Sequence, residues 1–262
     1  MNANGVEISG RTWGDGPPIY FLNGLNGTCD LFALSAWLFR EDFRCVFFDY
    51  AASNTPRGID DIVEDVFTIA DHHGDNSVML YGAEFGAMVA LSAMKARPER
   101  VSRAVLQSAF ARRRWTLSEK ALFKLVDFWQ NKSMADLPTH GFLTQQNNRP
   151  WFPPFDFGRW KFFADNVGSV PVRDVIARAR MLGKADLRKD ISQLAQPVYL
   201  VYTEGVGSRV NKQQQELESQ LPNVQSEWLH TCGALPFLTH PHRLKKLIYP
   251  FLTEETLMSV SN

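Results

Sequence analysis

Short apolar runs alternate with amphipathic stretches along most of the chain, and the two periods predict alternating strands and helices. Val6 to Trp13 and Pro18 to Leu22 read as strands, separated by the turn-rich Gly14-Asp-Gly-Pro-Pro18. The glycine-rich Asn23-Gly-Leu-Asn-Gly27 follows, where the backbone can present N–H groups. Cys29 to Phe39 places Leu31, Phe32, Leu34, Trp37 and Leu38 at helical spacing, and Cys45 to Phe48 is a continuous apolar run of the kind buried on both faces of a sheet. Ile59 to His72 predicts an amphipathic helix with Ile62, Val66, Phe67 and Ile69 inward. Asp60, Asp61, Glu64 and Asp65 lie near its start, where the helix dipole favours acids. Val78 to Leu91 reads as a strand, a sharp turn at Gly82 to Gly86, and a helix packed back on the strand that extends over Phe85 to Ala96. Arg103 to Gln107 is the next buried strand. Strand and helix in alternation predict a parallel sheet.

Beyond Gln107 the pattern changes. From about Arg112 to Gln196 the spacing predicts only helices, interrupted by Asn147-Asn-Arg-Pro-Trp-Phe-Pro-Pro-Phe155. Alternation resumes with a strand at Val198 to Tyr202, a helix at about Lys212 to Gln220, a strand at Ser226 to Leu229 and a closing helix at Pro241 to Phe251. An all-helical insertion between two strands of an alternating sheet reads as a lid, so we expect one α/β core formed by residues 1–111 and 197–262, with a helical cap over 112–196.

Composition narrows the function classes. The 262 residues are 45% hydrophobic and 21% charged, which suits a globular protein with one large core. Twenty-eight basic and twenty-eight acidic residues cancel, so no global field draws the chain to nucleic acid or to an anionic membrane. A small-molecule or protein partner fits better, and the oligomeric state is left open. Met1 to Gly10 lacks a basic segment followed by an apolar one, and no run reaches the roughly 18 apolar residues of a membrane span, so the expected location is the cytoplasm. Three cysteines, Cys29, Cys45 and Cys232, stand at no ligand spacing; buried reduced thiols are expected, with no metal and no cofactor. The run Arg112-Arg-Arg114 is too short and too bare of stacking partners for a nucleic-acid patch and reads as a solvated hinge.

The turn Gly82-Ala-Glu-Phe-Gly86 has the steric framework of the G-x-S-x-G nucleophile elbow, with glutamate in the middle. With this elbow, the Asn23-Gly24 loop after the Pro18–Leu22 strand, the insertion and the final two strand-helix units, the sequence resembles the α/β-hydrolase superfamily. Tyr81 to Leu91 with Arg97-Pro-Glu-Arg-Val101 is similar to esterase-like and lactonase-like members, and Asp186-Leu-Arg188 and Gln196-Pro-Val198 fit the same pattern. Cys232-Gly-Ala-Leu-Pro236 matches the family's last loop, C/A-G-H-x-P. The resemblance implies a mostly parallel twisted sheet with helices on both faces and an inserted cap. It also implies a nucleophile, an acid and a histidine in that chain order, and these positions fall on Glu84, Val206 and Ala234. The oxyanion hole would use the backbone N–H groups of Leu25 and Phe85.

Glu84 admits two readings. It could replace the aspartate nucleophile of dehalogenase-like and epoxide-hydrolase-like members, making the chain a hydrolase of esters, lactones or epoxides, with His140 or His230 as an unconventional base. Alternatively it is structural, ionised and hydrogen-bonded at the start of the following helix or folded into the oxyanion hole, and the chain is a non-catalytic homologue. An ester on Glu84 needs a base to be cleaved, and Ala234 has none to offer. Glu204 stands near the missing acid. Twelve cap aromatics, Trp151 and Trp160 among them, exceed what the cap's own core needs, so either some line a cleft with Asn23, Cys29, His140, His230 and Cys232, or the rings are core filling and bulky residues have closed the pocket. The expected ligand is apolar with a donor or a cation, since Glu84 would repel a carboxylate.

Overall fold

The computed structural model describes residues 2–3, 6–50 and 57–254. The chain opens with an antiparallel pair, β1 (Asn2–Ala3) and β2 (Val6–Glu7). The single strand expected over Val6 to Trp13 is therefore divided, because Val6–Glu7 pairs with β1 while β3 (Gly10–Trp13) pairs with β5 (Arg44–Phe48). Between the latter two run β4 (Pro18–Leu22), a 3-10 turn at Cys29–Phe32 and α1 (Ala33–Phe39). The core continues with α2 (Ile59–His73), β6 (Val78–Ala83), α3 (Phe85–Ala96) and β7 (Val101–Gln107). Helices alone follow, linked by 3-10 turns: α4 (Leu117–Val126), α5 (His140–Asn148), α6 (Phe157–Ser169) and α7 (Val172–Lys184). The chain then returns to the sheet with β8 (Val198–Thr203), α8 (Ser208–Glu218), β9 (Val224–Leu229), α9 (Pro236–Thr239) and α10 (Pro241–Thr253).

The seven-stranded sheet has the order β3-β5-β4-β6-β7-β8-β9, with only β3 antiparallel. Central strands are buried on both faces, which is why they read as unbroken apolar runs. Tyr20, Leu22, Leu80 and Leu106 join one core with residues of α2 and α3. Phe21, Tyr81, Val105 and Val201 join a second with α1 and α10. The alternation of one strand between two cores follows from the two-residue period of side chains.

Parallel order brings the carboxyl ends of β4, β6, β7 and β8 to one edge, where α/β sheets build their sites. Two contacts, one buried and one half-buried, help fasten the helical insertion to that edge. Arg178 of α7 donates from Nη1 to the Leu25 and Gly27 carbonyls at 2.8 and 3.1 Å. Trp151 lies against Gly205 and Gly233, so close that a Cβ on either glycine would fall within 2.9 and 2.5 Å of the indole. No helix among the described residues is long and apolar enough to cross a membrane.

Candidate functional site

The elbow is built by close approach. A Cβ on Gly86 would lie 2.0 Å from the Leu22 carbonyl oxygen, and one on Gly82 would lie 2.6 Å from that of Gly86. Helix α3 can therefore start directly above the ends of β4 and β6. The turn forces Glu84 to φ 52°, ψ −102°, a region that costs a non-glycine residue about 1–3 kcal/mol. Surrounding bonds hold it there. Its N–H donates to the Gln107 carbonyl at 2.9 Å, and its carbonyl accepts from Ala87 and Met88 at 3.2 and 3.3 Å.

The Glu84 side chain does not cap α3. It turns toward the Asn23–Gly27 loop, where Oε2 accepts the Leu25 N–H at 3.2 Å. The first of the two expected oxyanion donors is thus already bonded, while the Phe85 N–H finds no acceptor among the described residues. Of the two structural placements expected for this carboxyl, the helix start and the oxyanion hole, the second is found; burial pushes the Glu84 pKa up, only partly offset by the Leu25 bond and the charge of Arg113. A carboxyl whose pKa is higher folded than unfolded adds stability below its ordinary value of 4.5 and loses it as pH rises through the folded value. Glu84→Gln keeps the acceptor for Leu25 and cannot ionise. It should raise the melting temperature at neutral pH, with the gain vanishing in acid below the ordinary glutamate range; thermal melts across pH test this, and a gain independent of pH would contradict it.

The other two family positions lie in loops at the same sheet edge. Val206 ends a 3-10 turn at Glu204–Val206, Ala234 follows Gly233, and the two loops are tied by Gly205 N–H donating to the Cys232 carbonyl at 3.2 Å. Trp151 covers both glycines from the insertion side. From beneath, Tyr81 Oη donates to Gln107 Oε1 at 2.8 Å and Gln107 Nε2 donates to the Ala234 carbonyl at 2.5 Å. The side chains of Val206 and Ala234 offer no base.

Neither alternative base meets Glu84. His230 is exposed on the edge strand's exit, bonded through Nδ1 to Glu204 Oε1 at 3.0 Å and stacked on Trp228. His140 bonds within its own helix to Thr144 at 3.3 Å, and burial pushes its pKa down. The expected pocket lining also divides. Cys29 faces Asp49, and Cys232 faces Thr239, its thiol pushed up to about 11 by burial; all three thiols are free and buried. Trp160 packs edge-on to Phe152 and tilted on Phe163 in the second core. Phe128, Phe142, Phe155, Phe157 and Phe162 face solvent. Among the described residues these rings divide between core and solvent, with Trp151 half-buried against Gly205 and Gly233. Asn23 does stand at the elbow: its carbonyl accepts from Tyr50 Oη at 3.0 Å, and its buried Nδ2 has no partner among the described residues.

Three contributors escaped the sequence reading. Gln107, the one polar residue at the end of an apolar strand, fixes the Ala234 loop. Arg178 interrupts the apolar stripe of α7 and is buried beside it. Arg113 was expected in a solvated hinge and is instead largely enclosed, donating to Glu119 at 3.0 Å with its guanidinium 4.6 Å from the Trp115 ring; only Arg112 and Arg114 are exposed. Clefts of about 200 Å³ beside Arg112, Arg188 and Gln213 and about 140 Å³ beside Thr12 and His73 are lined by residues other than those of the elbow. Among the described residues, no three His, Cys, Asp or Glu gather as metal ligands.

A mostly parallel sheet with an antiparallel edge strand, a strained elbow between the fourth sheet strand and its helix, and a helical insertion after the fifth define the α/β-hydrolase fold. Solved structures agree. The chain is similar to an esterase from Exiguobacterium antarcticum (TM-score 0.81, 16% identity, covering 97% of this chain and 100% of that one). It is similar also to a thermophilic esterase from Thermogutta terrifontis (0.80, 15%, 94% and 93%) and to the enol-lactonase from Burkholderia xenovorans (0.77, 18%, 96% and 98%). At these identities the likeness establishes the fold. No protein-family model and no curated protein matches the sequence.

Proposed function

We propose that this chain is a non-catalytic α/β-hydrolase-fold protein that keeps the scaffold, with residues 112–196 as its cap, for binding a small apolar ligand or a partner protein. The observation that carries this reading is the Leu25 N–H bonded to the carboxyl of Glu84: a donor that would stabilise a developing oxyanion is held by the residue at the nucleophile position. Alanine at position 234, where the family pattern has histidine, supports it, since a carboxylate ester on Glu84 would have no base there to activate water. In a serine hydrolase, loss of the histidine alone costs on the order of 10⁶ in kcat. Rings turned into the core or out to solvent favour a binding surface over a deep ligand cavity.

A panel of esters, lactones and epoxides is expected to show no turnover above buffer. Turnover that disappears in Glu84→Gln would overturn the proposal and install Glu84 as a nucleophile or acid-base group.

A further inference from the structure

The overall charge of zero conceals a segregation. Residues 112–196 hold fifteen Lys and Arg against eight Asp and Glu, so the insertion is seven positive and the remainder seven negative. Of its acids, Glu119, Asp127, Asp156, Asp165, Asp174, Asp186 and Asp190 all sit in ion pairs. Lys120 and Lys124 of α4 form none among the described residues.

Helix α4 is also inverted relative to an ordinary surface helix, which turns its apolar stripe inward. Phe123 is the residue that packs inward, its ring 4.9 Å from that of Trp115 against the core. The outward face carries Leu117 (85% exposed), Leu122 (49%), Leu125 (55%) and, in the next turn, Phe128 (85%). At 100° per residue these four and Ala121 share one arc, and Lys120 and Lys124 border it. Glu119 is drawn away from that arc to Arg113 and Thr116.

We propose that this face of α4 docks on an anionic lipid bilayer surface, its leucines and Phe128 entering the headgroup boundary while Lys120 and Lys124 meet the lipid charge. A second copy is the poorer occupant. An isologous contact through α4 would bring together two insertions of seven positive charges each, with unpaired lysines facing lysines. The expectation that no membrane attracts this chain rested on the summed charge, which this proposal sets aside in favour of where the charge lies, whether or not the elbow turns over a substrate.

The test is flotation of the full chain with vesicles of phosphatidylcholine and phosphatidylglycerol in equal parts, against phosphatidylcholine alone. Binding is expected to the anionic vesicles only, and to weaken as salt rises. Lys120→Gln with Lys124→Gln should reduce affinity roughly 30-fold, from about a fivefold loss per lysine at an anionic surface. Leu125→Asp with Phe128→Asp should abolish it without altering the circular dichroism spectrum. The proposal is overturned if the chain stays unbound, or if binding survives both double variants. It is overturned equally if light scattering shows a dimer that the Leu125→Asp, Phe128→Asp chain no longer forms, which would make the face a homotypic interface.

Discussion

Gly86→Ala is expected to remove a large share of the fold's stability, although it adds a single methyl group. The new Cβ would stand 2.0 Å from the Leu22 carbonyl oxygen, 2.4 Å from its carbon and 2.8 Å from its Cβ. Two of these are backbone atoms of β4, a central strand hydrogen-bonded on both sides, to β5 and to β6. Neither partner can yield: lifting α3 would expose Met88, Val89 and Leu91, all fully buried, and pushing β4 aside would break its ladders. Ordinary overpacking costs about 1–3 kcal/mol where side chains can move aside. Here they cannot, so a loss of about 4 kcal/mol or more is expected, a large share of the roughly 5–15 kcal/mol that holds a domain together. Gly141→Ala is the matched control. It lies in α5 with nothing within 4 Å of the added atom, and should be neutral or stabilising by up to about 1 kcal/mol. Urea unfolding of the two variants decides the matter; equal midpoints would show that the elbow does not need its glycines.

The same geometry explains what could be read in advance. The elbow was legible because small residues at Gly82, Ala83, Gly86 and Ala87 answer a steric demand that depends only on local chain path, and the turn and its helix lie where the sequence placed them. The buried strands were legible because both faces of a parallel sheet exclude polar residues. Less visible were properties that depend on what lies across space. Nothing near Glu84 in sequence tells that its carboxyl would turn to Leu25, fifty-nine positions away, rather than to its own helix. The surplus aromatics were counted correctly, but a count cannot say whether a ring faces core, cleft or water; Phe163 and Phe162 are neighbours with opposite outcomes. Summed charge is uninformative for a related reason, since it discards position: residues 112–196 are seven positive and the remainder seven negative.

Arg178 marks the boundary between the two kinds of information, and its replacement should produce the second large effect. Val175, Ile176, Ala179 and Leu182 predict which face of α7 turns inward, and position 178 lies on it, so a buried arginine was readable as an anomaly. Its purpose was not. The guanidinium reaches the Leu25 and Gly27 carbonyls and lies 5.2 Å from the Tyr50 ring, and Tyr50 in turn donates to the Asn23 carbonyl. One side chain from the insertion thus holds the carbonyls of the loop whose Leu25 N–H meets Glu84. Burial pushes the Arg178 pKa down, the mark of a charge taken from water. Arg178→Met retains most of the volume and leaves two inward carbonyls without their donor. Hydrogen bonds to a charged group contribute about 1.5–3 kcal/mol each, less the relief of desolvating the cation, so a net loss of about 2–4 kcal/mol is expected. The loss should be local before it is global: amide exchange at Leu25 should accelerate more than exchange in β6 or β7, because the loop is freed while the sheet is untouched. A variant that loses stability evenly, with the Leu25 amide no faster than its surroundings, would mean that Arg178 serves packing alone and that the loop holds its shape without the insertion.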